Sequence, residues 1–514
     1  MAPPSPLTQS DSDSSLQSTV SSTLVALKYL ELLHPTSVST LSSSKHILLP
    51  KHVTNSRGLP VSHEKELLIL LDTLAACLSP TPRDRYAVSL RRDQKPVIIL
   101  AKLGIISCND ISRTVKLFEL LKSNRDYNSR EIALTTRVLP FLVGTIGPSL
   151  NSKISSLRTA MEQVEWSRVV QIYTVRAAFT HPLGSAGLGG RGAIRRVFPR
   201  AGDDYALLVP NDSDVVVSVY QFTLLLVKMI SNLTQLPFCR EGSAERVPDT
   251  DWKKRLDELA ATKFRILVFY CRVFLHSDIM KFLLDRGTLY LPKKKILAVV
   301  HGMEEILLFT DGVLSLMDRL NWIFPKGVPF QWIGDMERTG DRDKLELEMS
   351  AVKLRPSSDV FKFAFPELCA SKPSGQLTKE NIALQRVSAK LSQLSSFSWP
   401  PTVNPQVDPS LKILLYLESK NYKFKNSGSE LRLPIGQDGP MPWCTAEWIR
   451  IYQEGHHGAA CTVREISTTT PSWWGLPPSY LLTGDKRDPE SVVPAVNWEL
   501  FTTLQSHFRD VAIR

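Results

Sequence analysis

Residues 63–80 read HEKELLILLDTLAACLSP, and their spacing carries the fold class. Leu67, Leu70, Leu71, Leu74 and Leu78 fall on one face of a 3.6-residue helix, and Pro80 ends the pattern. Upstream, Val20, Leu24, Leu27 and Leu30 repeat the theme and stop at His34-Pro35. Downstream, Asn109 or Asp110 is placed to cap a helix bearing Ile111, Val115, Phe118 and Leu121. Ile154, Leu157, Met161 and Val164 make another stripe.

Further helical runs cover 215–230, 250–275, 278–287, 295–322 and 379–395. A last one carries Trp498, Phe501, Leu504, Phe508 and Val511, read here as a docked apolar stripe. Strict alternation is scarce. The pattern predicts a mainly α protein, an irregular multi-helix array or bundle, with no internal repeat of 30–50 residues.

Composition punctuates the chain. Residues 1–15, rich in Ser, Pro and Asp, read as a disordered tail. A helical region follows over 16–180, then a Gly/Arg-rich loop at 181–205 and a central helical core at 206–330. Residues 331–410 are linker-rich with one helix. Five of the ten Trp lie among Pro and Gly in the final 72 residues, which marks 411–514 as a small Trp/Pro-rich module.

The 514 residues suffice for a sizeable core, and 43% hydrophobic content excludes collagen and a wholly disordered chain. Seven scattered Cys with no Cys-x-x-Cys pair predict free thiols in a reducing compartment, cytoplasmic or nuclear. The first residues lack the basic and apolar regions of a secretory signal. Val215–Ile230 is the best candidate membrane span, but it holds Gln221 and Lys228 and is too short, so no transmembrane span is expected.

Charge is uneven. The net charge is +11, yet residues 83–200 alone hold 15 Arg and 5 Lys against 8 acidic residues. Within this block Arg83, Arg85, Arg91 and Arg92 form one candidate anion-binding group, and Arg191, Arg195, Arg196 and Arg200 form another. Arginine forks bind phosphate and carboxylate bidentately, so an acidic partner such as nucleic acid or an anionic membrane is one expectation. A solvated basic face is the plainer one.

Catalytic signatures fail one by one. Gly187, Gly189 and Gly192 have the dinucleotide spacing without the preceding strand. Asp212-Ser213-Asp214 reads as a turn and helix cap before the Val215 run. Glu31/His34 and Glu454/His457 abut helix ends, unlike di-iron ligands. Cys444, His456, His457 and Cys461 have zinc-ligand chemistry but no finger spacing, so no metal or cofactor is expected. Lys293-Lys294-Lys295 places three cations at a helix start, against its dipole.

The leading expectation is therefore a non-catalytic helical interaction or adaptor protein with a protein partner. The alternatives are a peripheral polyanion binder working through 83–200 and an enzyme whose site is assembled from distant residues.

Overall fold

A computed structural model of the chain describes residues 6–33, 61–91, 96–122, 127–180, 190–201, 218–235, 250–286, 292–334, 351–365, 387, 389, 400–419, 433–456, 461–463, 466–467, 470–471, 473–477 and 493–513. Helix predominates among them, as the 3.6-residue period predicts. They divide into two units. One gathers residues 1–76, 84–112 and 328–514; the other holds 77–83 and 113–327. These units cut across the linear division read from composition. Tertiary pairing joins segments more than 300 residues apart, and local composition does not record that.

The discontinuous unit is built on a sheet that the helical pattern hides. Its strands are β1 (Tyr86–Arg91), β2 (Val97–Lys102), β3 (Phe330–Ile333), β4 (Val352–Lys353), β5 (Thr402–Val403), β6 (Leu433–Gln437), β7 (Met441–Pro442), β8 (Cys461–Thr462) and β9 (Ile466–Ser467). Five of them run in the order β3-β2-β1-β6-β8. The β1–β2 hairpin is antiparallel, β3 lies parallel to β2, and β8 lies parallel to β6. β1 is buried on both faces and reads YAVSLR. Doubly covered strands lose the polar alternation that would announce them.

Helix Pro409–Ser419 packs on β1 and β2. Helix Val61–Leu78 contributes its apolar face, with Leu70, Leu71, Leu74 and Leu78 buried as the opening motif predicts. Gly436 of β6 lies against the Leu71–Asp72 backbone, and the Gln437 N–H donates to Asp72 Oδ1 at 2.8 Å.

The described Trp-rich C-terminal residues fall within this same unit. Trp448 and Trp474 are fully buried, and each donates its indole N–H, to Asn497 at 2.8 Å and to Thr445 at 2.9 Å. Burying so large a ring while satisfying its donor makes these residues core anchors. Helix Val493–Ile513 docks through Leu500, Phe501, Leu504, Phe508 and Val511. Trp498, counted in that stripe from sequence, points away and is 58% exposed. The other four stripe residues, Phe501, Leu504, Phe508 and Val511, are buried as expected, and Phe508 packs against Phe361 and Phe365.

Two other expectations change. The first helix spans Pro6–Leu33, so residues 6–15 are helical; Pro6 supplies the preset φ of a first helical position. Within the expected 181–205 loop, Gly190–Val197 is a helix, with Ala193, Ile194 and Val197 buried, and Pro199–Ala201 is a 3-10 turn. The apolar spacing there outweighs the helix cost of Gly190 and Gly192.

The contiguous unit is helical. Helices Tyr127–Ala133 and Leu139–Glu162 join through a π turn at Leu134–Val138, with a kink at Ile146 ahead of Pro148. Helices Lys293–Leu307 and Val313–Ile323 join through a second π turn, Leu308–Gly312. Gly302 lets the first of these approach Leu157 closely.

Caps sit where the chemistry of a capping box puts them, near but not on the residues expected. Ser107 caps helix Cys108–Leu121, with Asp110 reaching back to the Ser107 N–H at 2.8 Å. Ser218 and Gln221 do the same for helix Val219–Gln235, whereas Asp212 and Asp214 lie outside the described residues. The stretch Ser129–Glu162 is the one helix among the described residues with the length and hydropathy to cross a membrane. Half of its most apolar window is buried within the protein.

Candidate interaction surface

Helix Thr250–Leu275 carries apolar residues on more than one face. Ala261, Phe264, Leu267, Val268, Cys271 and Phe274 are buried, at three- and four-residue spacing. Phe264 meets Phe309 edge-on at 6.2 Å, and Phe274 meets Trp166 at 5.2 Å. A second row, Leu256, Leu259 and Ile266, is 43%, 54% and 40% exposed. Half-buried Lys263 falls between Leu259 and Ile266 in that row, and Lys254, Arg255, Glu258, Thr262 and Arg265 are exposed around it. The sequence identifies the helical run 250–275 but does not divide its apolar residues between faces. The doubling becomes visible only once burial separates the two rows.

The arginines singled out from sequence divide between the two units. Arg85 is half-buried, donates to the Pro440 carbonyl at 3.2 Å, and stacks 5.3 Å over the Trp473 ring. Arg91 closes β1, and Arg92 lies outside the described residues. Arg83 is exposed in the turn before β1. Arg195 and Arg196 are exposed in the last turn of Gly190–Val197, where cations complement the helix dipole. Arg200 is exposed on the following 3-10 turn. Arg191 is in the helix, but its side chain lies outside the described residues.

Packing adds cations that the sequence does not place near this group. Burial lowers the pKa of His276, and Arg200, Arg272 and Lys281 push it the same way against Asp311. Arg272 pairs with Asp311, and Lys281 with Asp278 at 2.9 Å. Arg200, Arg272 and Lys281 therefore form a local cationic cluster around His276, drawn from three elements and partly offset by Asp311 and Asp278. No sequence motif marks it, because its members are up to 81 residues apart.

Among the described residues no group of three or more His, Cys, Asp or Glu is placed to hold a metal. Cys444 is buried at the start of helix Trp443–His456, and Cys461 is buried in β8. Burial, with Asp408 nearby, pushes the Cys444 thiol well up, which keeps it protonated and unlike a thiolate ligand. His457 and the His456 side chain lie outside the described residues.

Two of the buried acids, Asp408 and Asp110, serve helix starts. Asp408 accepts the Ser410 N–H at 2.9 Å at the start of Pro409–Ser419, and burial raises its pKa. At Asp110 burial also favours the neutral acid. Hydrogen bonds from Lys102, Ser107 and Tyr86 outweigh it and hold the carboxyl at about 2.

A shallow groove of about 410 Å³ lies along helix Leu139–Glu162, lined by Ser152, Ser155, Ser156, Thr159 and Gln163, with Ala298 opposite. Lys295, from the expected run of three lysines, donates to the Gln163 carbonyl at 3.1 Å. Gly192 is helical, while Gly187 and Gly189 lie outside the described residues. Compared with protein families, characterised proteins and solved structures, the chain matches none.

Proposed function

We propose that the chain is a non-catalytic helical interaction protein whose contiguous unit docks a segment of a partner protein. The observation that supports this is the second apolar row on Thr250–Leu275. The adjoining face already packs into the unit, while Leu256, Leu259 and Ile266 leave about half of their apolar surface to solvent. Exposed apolar residues aligned in one row, as opposed to scattered singly, mark an interaction surface. The buried free thiols of Cys271 and Cys444 favour a reducing compartment, the cytosol or nucleus.

The test is photo-cross-linking in cells, with the reactive residue at Leu259 or, as a control on the neighbouring face, at Glu258. One recurrent adduct is expected from position 259, lost when Leu256 and Ile266 become Gln. Equal adducts from both positions, or none, would sink the reading.

The cationic cluster supports a second reading, weak binding of a polyanion by Arg195, Arg196, Arg200 and their neighbours. Its test is salt dependence, because each phosphate contact releases counterions.

A further inference from the structure

The exposed row has a positive charge set inside it. Building on the interaction reading above, we infer that the row takes one amphipathic helix of a partner protein, which sets a carboxylate against Lys263. Leu256, Leu259, Lys263 and Ile266 succeed one another at spacings of three, four and three residues, the a-d-a-d order of a helix–helix seam. A polar residue at one a position fixes register and selects the partner. When a helix covers it, the Lys263 ammonium loses water, and an opposite charge is what offsets that loss. The exposed flanks carry Lys254, Arg255 and Arg265 against Glu258, so the margins of the partner helix are acidic as well.

The shape of the row separates a helix from a membrane. Interfacial helices present a broad apolar face to lipid. This row is one residue wide, with charge beside it, and the remaining apolar face is buried in its own unit. From Leu256 to Ile266 it spans about 15 Å at 1.5 Å per residue, enough for roughly three turns of a partner helix.

The experiment titrates the full-length protein against two labelled synthetic peptides of about three heptads, with Leu at a and d. They differ only at the central a position, Glu in one and Lys in the other, and binding is read by anisotropy. The wild type should prefer the Glu peptide by about fivefold, the size of one partly exposed charge pair. Lys263→Glu should reverse the order, Lys263→Met should abolish the preference while binding both, and Leu259→Gln should weaken both. Using Met as well as Glu guards against misfolding of the charge-reversed variant.

Equal affinity of the wild type for both peptides, lost in Leu259→Gln, would overturn the carboxylate pairing and leave the interaction reading standing. Binding of neither peptide, or identical binding by wild type and Leu259→Gln, would also overturn the inference. A third arm uses vesicles of phosphatidylserine and phosphatidylcholine. Vesicle binding that needs Leu259, without peptide binding, would assign the row to a membrane and overturn both readings.

Discussion

Lys102 Nζ stands 2.7 Å from Asp110 Oδ2 at the end of β2, and both side chains are largely withdrawn from water. Asp110 also accepts the Tyr86 hydroxyl at 2.8 Å and closes the capping box of Ser107. One carboxylate thus ties the sheet to the start of helix Cys108–Leu121.

Its pKa falls from the ordinary 3.8 to about 2, which makes the tie pH-dependent. A depressed carboxylate stabilises the fold above its unfolded pKa and loses that contribution as pH drops through the folded value. The shift corresponds to about 2 kcal/mol, lost between roughly pH 4 and pH 2. Asp110→Asn should cost about 3 kcal/mol at neutral pH, since it leaves a largely buried Lys102 uncompensated. Denaturant unfolding at pH 7 and pH 2.5 checks this. The gap between wild type and variant should narrow in acid, and a constant gap would contradict the assignment.

Helix Val493–Ile513 gives a paired prediction. Phe508 is fully buried, and its ring centroid lies 5.0 Å from that of Phe361. Phe508→Ala should destabilise by about 3–5 kcal/mol. Trp498 is 58% exposed and contacts Phe501 from outside, so Trp498→Ala should stay within about 1 kcal/mol. Thermal melts of the two variants check both, and similar losses would mean the helical phase is wrong.

How much was legible follows from these cases. Val20, Leu24, Leu27 and Leu30 are all fully buried, because helical periodicity is a local signal. The strands are different. VIILAK in β2 is apolar almost throughout, so it has no period of its own; its partner β3 comes from residues 330–333, and the second partner of β1, β6, comes from 433–437. Asp72 shows the same limit. It interrupts an apolar helix run, and the backbone N–H that explains it belongs to Gln437, 365 residues away. The arginine block was visible as composition, but His276, Arg272 and Lys281 join it only through packing.

Gly436 tests the sheet–helix contact directly. A Cβ added there would lie 2.2 Å from the Leu71 carbonyl carbon and 2.4 Å from its Cβ. Backbone cannot yield as the end of a flexible side chain does. Gly436→Ala should therefore destabilise by about 1–3 kcal/mol or more, the range for overpacking. Chemical denaturation measures it. A neutral result would show that helix Val61–Leu78 does not press on β6.

The last prediction concerns the cationic cluster. Arg195 and Arg196 end a short helix, so their charge has a structural use, worth about 0.3–1 kcal/mol each through the dipole. That accounts for two cations at the helix end. It does not account for exposed Arg200 facing His276 together with Arg272 and Lys281. Arg272 and Lys281 already face Asp311 and Asp278, so the exposed Arg200 is the cation of this group that a bound polyanion would engage. Replacing Arg191, Arg195, Arg196 and Arg200 by Gln should abolish weak, sequence-independent binding to labelled RNA or DNA, with little change in melting temperature. Wild-type affinity should drop steeply from 50 to about 200 mM salt, as counterion release requires. It should rise below the ordinary histidine range of about 6.5, when His276 gains its proton. Anisotropy on both proteins at two salt concentrations and two pH values decides the matter. Equal binding by wild type and the quadruple variant would reduce the cluster to a solvated face, and the docking row on Thr250–Leu275 would stand without it.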